Sequence, residues 1–262
     1  MRSAAIRRTV LTASAVSLAL LATACGGEEK GGAAEAKADK PAAKALSAAE
    51  LEKRVLAAGD VKDHKVEKPG KDDLPDSDAL TVDKPGCEPV ARALGALPMG
   101  KPAASVHRIA TWESAKAKKG MPKTEDLMDM SEKEIEDATL DSMDITKTML
   151  SLSSYDADAA EKALATLREA RGTCAGGFTM SDGGEKQQVT KIVEEKSAAG
   201  GDALSWTVST KLDGTEADTK LTVLRQGPTL ATFVSFNIAA VTRGEAYPQP
   251  TEVITAQAAK LG

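Results

Sequence analysis

Histidine, aromatic rings and cysteine are all scarce in this chain. The two histidines, His64 and His107, stand far apart, and neither has a Cys, His or carboxylate at ligand spacing. This argues against a zinc centre or a histidine-based triad and in favour of surface or structural roles. Aromatic residues make up 3% of the chain, which disfavours carbohydrate binding, since sugar sites want exposed ring platforms. No Gly-x-Ser-x-Gly, Gly-x-Gly-x-x-Gly or phosphate-loop sequence occurs. Gly176-Gly177, Gly183-Gly184 and Gly200-Gly201 fall between predicted elements and read as turns. The net charge is -5, with no basic run outside the opening segment, so nucleic acid and anionic headgroups are poor partners. No catalytic residue, metal or cofactor is expected, and the chain is read as a non-enzyme.

The opening segment is where the sequence is most specific. Arg2, Arg7 and Arg8 form a positive start, Val10 to Leu21 an apolar stretch, and Leu21-Ala22-Thr23-Ala24 places small residues before Cys25. The apolar run is short of the roughly 20 residues that span a bilayer, which disfavours an uncut anchor. Plain secretion with cleavage after Ala24 is the nearer alternative. Cysteine directly after that site, followed by Gly26-Gly27 and a polar stretch, points instead to a bacterial lipobox with Cys25 as the acylated first residue. Several acyl chains anchor durably where one binds reversibly, at about 0.8 kcal/mol per buried methylene. Arg7-Arg8 is compatible with general secretory or twin-arginine export. The expected organisation is a signal peptide over 1–24, a lipidated and disordered tether over 25–45, and a single folded domain over 46–262. The bilayer is the expected partner, through Cys25, on the extracytoplasmic face of the cell membrane.

With Cys25 acylated, Cys87 and Cys174 remain as one even pair. An exported chain with such a pair most economically forms one disulfide, and no Cys-x-x-Cys spacing supports a redox role.

Local signals outline an α+β domain. Ser47-Ala48-Ala49-Glu50 is a capping box, with Leu46 placed to staple against Leu51 and Gly59 as a stop. The stretch 60–86 reads as a loop with at most a short strand. Strands are expected over 103–112 and 145–153, with a second capping box at Ser131 and Glu134 between them. A helix from Asp156 or Asp158 to about Arg171 is expected to stop at Gly172. Asp213-Gly214 is a hairpin turn that sets Trp206 opposite Leu221 and Thr207 opposite Lys220. Gly227-Pro228 continues the meander, with Leu221 opposite Val234 and Thr219 opposite Phe236. The stretch 185–196 adds a fourth strand, and a last helix after Pro250 turns Ile254, Ala258 and Leu261 inward. The sum is an antiparallel sheet with helices packed on one face and Trp206, Leu221, Val234 and Phe236 buried there.

Several short stretches in this order carry a resemblance: Leu46-Ser47 to Leu56 followed by Gly59-Asp60-Val61, Cys87 before Glu88-Pro89, Cys174 after a helix, Gly201-Asp202-Ala203, and Val223-Leu224-Arg225-Gln226-Gly227. Together they resemble actinobacterial sensor-domain lipoproteins, which are similar to the extracellular sensor domain of PknH-type mycobacterial Ser/Thr kinases. The resemblance implies a noncatalytic α+β domain with a cleft for a small ligand. It departs from the kinase pattern of two disulfides, since one pair is available here.

Met121, Met128, Met130 and Met143 fit packing beneath an acidic segment better than a soft-metal site, and the neighbouring carboxylates lack calcium-loop spacing. The strand register turns Phe233 onto the polar side of the meander opposite Thr222. A cleft is therefore expected near Phe233, Thr222 and Ser235, taking a small ligand, with an envelope protein as the alternative partner.

Overall fold

The computed structural model describes residues 43–262, apart from 72, 184, 185 and 213. The segment 1–24, Cys25, the tether as far as residue 42, and Asp213 of the hairpin turn lie outside the described residues. The chain is hydrogen-bonded from Ala43 onward: the Ala43 carbonyl accepts from Ala157 N at 2.7 Å, and Leu46 N donates to Ser154 Oγ at 2.9 Å.

Nine strands form one antiparallel sheet: β1 (His64–Glu67), β2 (Leu80–Val82), β3 (Ala104–Glu113), β4 (Ile145–Ser154), β5 (Phe178–Asp182), β6 (Lys186–Glu195), β7 (Asp202–Leu212), β8 (Thr215–Gln226) and β9 (Thr229–Asn237), in the order β1-β3-β4-β9-β8-β7-β6-β5-β2. The two hairpins pair as their turns dictate. Leu212 faces Thr215, Trp206 faces Leu221 and Thr207 faces Lys220 across the first. Gln226 faces Thr229 and Leu221 faces Val234 across the second. Gly214 and Gly227 take positive φ, +86° and +55°, which a side-chain-bearing residue adopts only with strain.

The helices are α1 (Ala48–Arg54), α2 (Glu88–Leu94), α3 (Thr124–Leu127), α4 (Glu132–Ser142), α5 (Ala159–Cys174), α6 (Ile238–Arg243) and α7 (Thr251–Leu261). Both capping boxes close as the spacing requires, Ser47 with Glu50 and Ser131 with Glu134. Each satisfies two otherwise orphaned backbone donors.

The sheet is apolar on both sides, because successive strand residues point to opposite faces and each face has its own cover. On one face Trp206, Val208, Leu221, Val223, Leu230 and Val234 pack with Val90 of α2 and Leu164 and Leu167 of α5. The disulfide Cys87–Cys174, with Cα atoms 5.7 Å apart, joins the turn before α2 to the end of α5. On the other face Val106, Leu150, Leu152, Leu224, Ala231 and Phe233 pack with Leu51 of α1 and Val253, Ile254 and Leu261 of α7. Gln257, fully buried, ties α7 to the end of α1: its Oε1 accepts from Leu56 N and its Nε2 donates to Arg54 O, both at 2.9 Å.

The fold class is as expected, but the expectation of helices on one face is corrected: α1 and α7 cover the face opposite α2 and α5. Helix α5 runs through Gly172 to Cys174, and α1 ends at Arg54, capped by Val55, before reaching Gly59. Phe236 is 39% exposed and not buried with Trp206, Leu221 and Val234, because near the end of β9 it lines an open hollow with Leu94 and Met149. The stretch 60–86 holds two short strands, and α2, α6 and β5 add elements that local signals did not mark.

Candidate ligand-binding cleft

The face under α1 and α7 is a grid whose rows run across the strands. Val106, Leu152, Ala231 and Leu224 make an apolar row. Arg108, Leu150, Phe233, Thr222, Ser205 and Glu195 make the next, and Ala110, Thr148, Ser235, Lys220 and Thr207 a polar one. The last row is His64, Trp112, Thr146 and Asn237, contributed by β1, β3, β4 and β9. Helix α7 and the segment before it lie across this gradient. The apolar rows are closed over, and the last row is left as the floor of an open cleft.

That cleft has a volume of about 550 Å³. Its walls are His64, Trp112, Asp144, Thr146, Thr148 and Asn237 from the sheet side, Ala240 from α6, Glu245 through Pro250 from the segment between α6 and α7, and Thr251 and Glu252 from the start of α7. Asn237 organises the floor. Its Nδ2 donates to Asp144 Oδ1 at 2.9 Å and Thr146 Oγ1 at 3.0 Å, while its Oδ1 caps α6 by accepting from Ala240 N at 2.9 Å. His64 Nδ1 lies 2.8 Å from the Lys62 carbonyl, which can only accept, so that nitrogen carries a proton.

The segment over the polar row is fixed by a buried network. Lys220 Nζ donates to Glu195 Oε1 at 2.9 Å and to Thr207 Oγ1 at 2.7 Å. Gln249 Nε2 donates to Glu195 Oε2 at 2.9 Å, and Thr222 Oγ1 donates to Gln249 Oε1 at 3.2 Å. Burial pushes the Glu195 carboxyl up, but hydrogen bonds from Thr207, Lys220 and Gln249 outweigh it and hold the group below its ordinary range. The Tyr247 hydroxyl, 2.6 Å from the Asp218 carbonyl and 2.9 Å from the Ser235 carbonyl, donates to one of them at a time. Burial pushes this phenol well up, so it stays neutral. The Lys220 ammonium sits 5.6 Å from the centre of its ring.

Other hollows exist among the described residues, including one of about 380 Å³ beside β2 and β5. One of about 370 Å³ lies between α2 and α5, and one of about 660 Å³ lies on the opposite face beside Leu74, Met149 and Phe236. The hollow between α2 and α5 holds one ring, Tyr155, among charged side chains, whereas the cleft gathers His64, Trp112 and Tyr247.

The residues expected to contact a ligand are displaced from this opening. Phe233 is fully buried between Leu150 and Thr222 in the core under α1 and α7, so it is withdrawn as a ligand contact. Thr222 and Ser235 are equally buried, one hydrogen bond behind the lining: Thr222 reaches Gln249, and Ser235 Oγ accepts from Thr148 at 3.1 Å. Phe233 and Thr222 lie on the same face as this cleft, two rows from its floor, and Ser235 one row from it. Local signals missed Trp112, Asp144, Asn237 and Tyr247. The clue available was Tyr247-Pro248-Gln249-Pro250, a stiff polar approach to a helix.

No family model and no curated protein matches the chain. Among solved structures it is similar to the extracellular domain of PknH from Mycobacterium tuberculosis, with 12% identity and a TM-score of 0.48 over 83% of this chain and 95% of that one.

Proposed function

We propose that this chain is a noncatalytic extracytoplasmic domain, anchored through acylated Cys25, that binds a small organic ligand in the cleft over His64, Trp112, Thr146 and Asn237. The carrying observation is the cleft itself: a concave opening with an aromatic wall, a pre-ordered polar floor and a roof held by the Lys220–Glu195 network. The Cys87–Cys174 disulfide supports the compartment, because such bonds persist in oxidising surroundings.

The test is a thermal-shift screen of small molecules, in which a ligand at about 100 times its dissociation constant adds about 2.7 kcal/mol. A hit should lose its shift when Ala246→Trp, at an exposed position on the rim, plugs the mouth. A hit unaffected by that substitution would place binding elsewhere. Cys25→Ser should leave the chain unprocessed or free of the membrane, and unchanged retention would remove the anchor. Met121 and Met128, 44% and 82% exposed, favour the alternative of a protein-interaction module in the envelope, which a screen without any cleft ligand would support.

A further inference from the structure

We infer that the ligand of this cleft is an organic cation, an amine or quaternary ammonium compound; this rests on the ligand-binding role proposed above. The cleft provides the site, and its lining sets the charge. Asp144, Glu245 and Glu252 border it, and no lysine or arginine is among its described lining residues. Cations behind the lining are drawn into other pairs: Lys220 with Glu195 at 2.9 Å, Lys116 with Asp141 at 2.8 Å, and Arg243 with Asp141 at 2.7 Å, although Arg243 also acts at longer range on Asp144 and Glu245. An anion entering the cleft would meet three carboxylates, offset only by Arg243 acting at longer range on Asp144 and Glu245 and by the His64 ring, whose Nδ1 lies 3.8 Å from Glu252. A neutral apolar ligand would gain nothing from them.

Trp112 adds the second half of the argument. It lies between His64 and Thr146 in the floor row, and indole is the ring that attracts a cation most strongly over its face. Ala246, Pro248 and Pro250 on the opposite wall suit the alkyl part of an ammonium compound. The amino end of α7 opens at Thr251 and by itself would favour an anion, but Glu252 in its first turn already supplies the negative charge there. A bare metal ion is a poorer match, since among the described residues no three His, Cys, Asp or Glu side chains converge on one point. The carboxylates are spread around the cleft, as an extended cation requires.

Calorimetric titration of the full chain with choline and with 3,3-dimethylbutan-1-ol, its uncharged counterpart of the same shape, tests the charge. Cadaverine and pentan-1-ol form a second pair. At least one cation should bind about tenfold or more tightly than its alcohol, the scale of a cation held by a ring and carboxylates. Glu245→Gln/Glu252→Gln, at two exposed positions that leave the core untouched, should weaken the cation about three- to tenfold and leave the alcohol unchanged. Trp112→Leu should weaken the cation as well. Equal affinity for cation and alcohol would overturn the charge assignment, and so would cation binding unmoved by the double variant. If neither cation binds, the assignment also fails. In each of these cases a neutral or anionic hit that Ala246→Trp abolishes would leave the ligand-binding role standing.

Discussion

Lys220→Met removes the charge at the centre of the network that roofs the cleft while keeping most of the side-chain stem. The Lys220 side chain is 10% exposed and its partner Glu195 29% exposed, with 2.9 Å between the charged atoms. At an effective dielectric of about 20 that separation corresponds to about 6 kcal/mol of Coulomb attraction, a ceiling because desolvation of both groups opposes it. Removing one partner of a fully buried pair costs about 3–5 kcal/mol. Glu195 keeps some water and the donors Thr207 and Gln249, so the expected loss is about 2–3 kcal/mol. For a domain of this size that lowers the melting temperature by about 5–10 °C. Calorimetric melting at neutral pH measures it. The double change Glu195→Gln/Lys220→Met should recover at least half of the loss, since no charge is then left unpaired. Acid sensitivity gives an independent readout. The native Glu195 carboxyl is held below its ordinary 4.5, so its stabilisation is present above that pH and is lost as pH falls through the lowered value. Without Lys220 the opposing effect of burial weighs more, so the folded-state value moves back up and this group's share of the acid loss should shrink. A Lys220→Met chain melting within about 1 °C of the parent, with an unchanged acid limb, would refute the network's role in holding the roof.

The Cys87–Cys174 bridge closes a sequence separation of 87, and the loop-entropy relation assigns it about 4–5 kcal/mol. Urea unfolding of Cys87→Ala/Cys174→Ala should show a loss approaching that figure, and one below about 1 kcal/mol would contradict the clamp between the start of α2 and the end of α5. His107 Nε2 is buried without a hydrogen-bond partner, and burial lowers the ring's pKa from 6.5, with the Ala96 backbone opposing. The unfolded chain therefore takes up the proton first, so stability should fall as pH drops below about 6.5. His107→Gln should flatten the melting-temperature profile between about pH 7 and 5, whereas an unchanged profile would mean that another group sets it.

The meander from Asp202 to Asn237 was legible because two turns independently imposed a period-two register, and the structure pairs Trp206 with Leu221 and Leu221 with Val234 accordingly. The same register was misleading about the other face. Ser205, Thr222 and Ser235 lie on the polar side of the meander, yet they are buried: small hydroxyls can be covered when they satisfy one another, as Ser205 and Thr222 do at 2.8 Å and Thr148 and Ser235 at 3.1 Å. Alternation reports the polarity of a face and is silent on what lies over it. Phe233 makes the point most sharply. Its grid neighbours Leu150 and Thr222 come from strands on either side, and its cover comes from α1 and α7, near the two ends of the described chain. The cleft has the same character, since His64, Trp112, Thr146 and Asn237 meet only after β1, β3, β4 and β9 assemble. Each is unremarkable in its own stretch of sequence. What brings them together as a candidate cleft is that α7 covers the apolar rows and begins only at Thr251, leaving the last row open; that boundary follows from where Pro248 and Pro250 delay the helix, a feature visible in the sequence whose meaning depends on the strands beneath it.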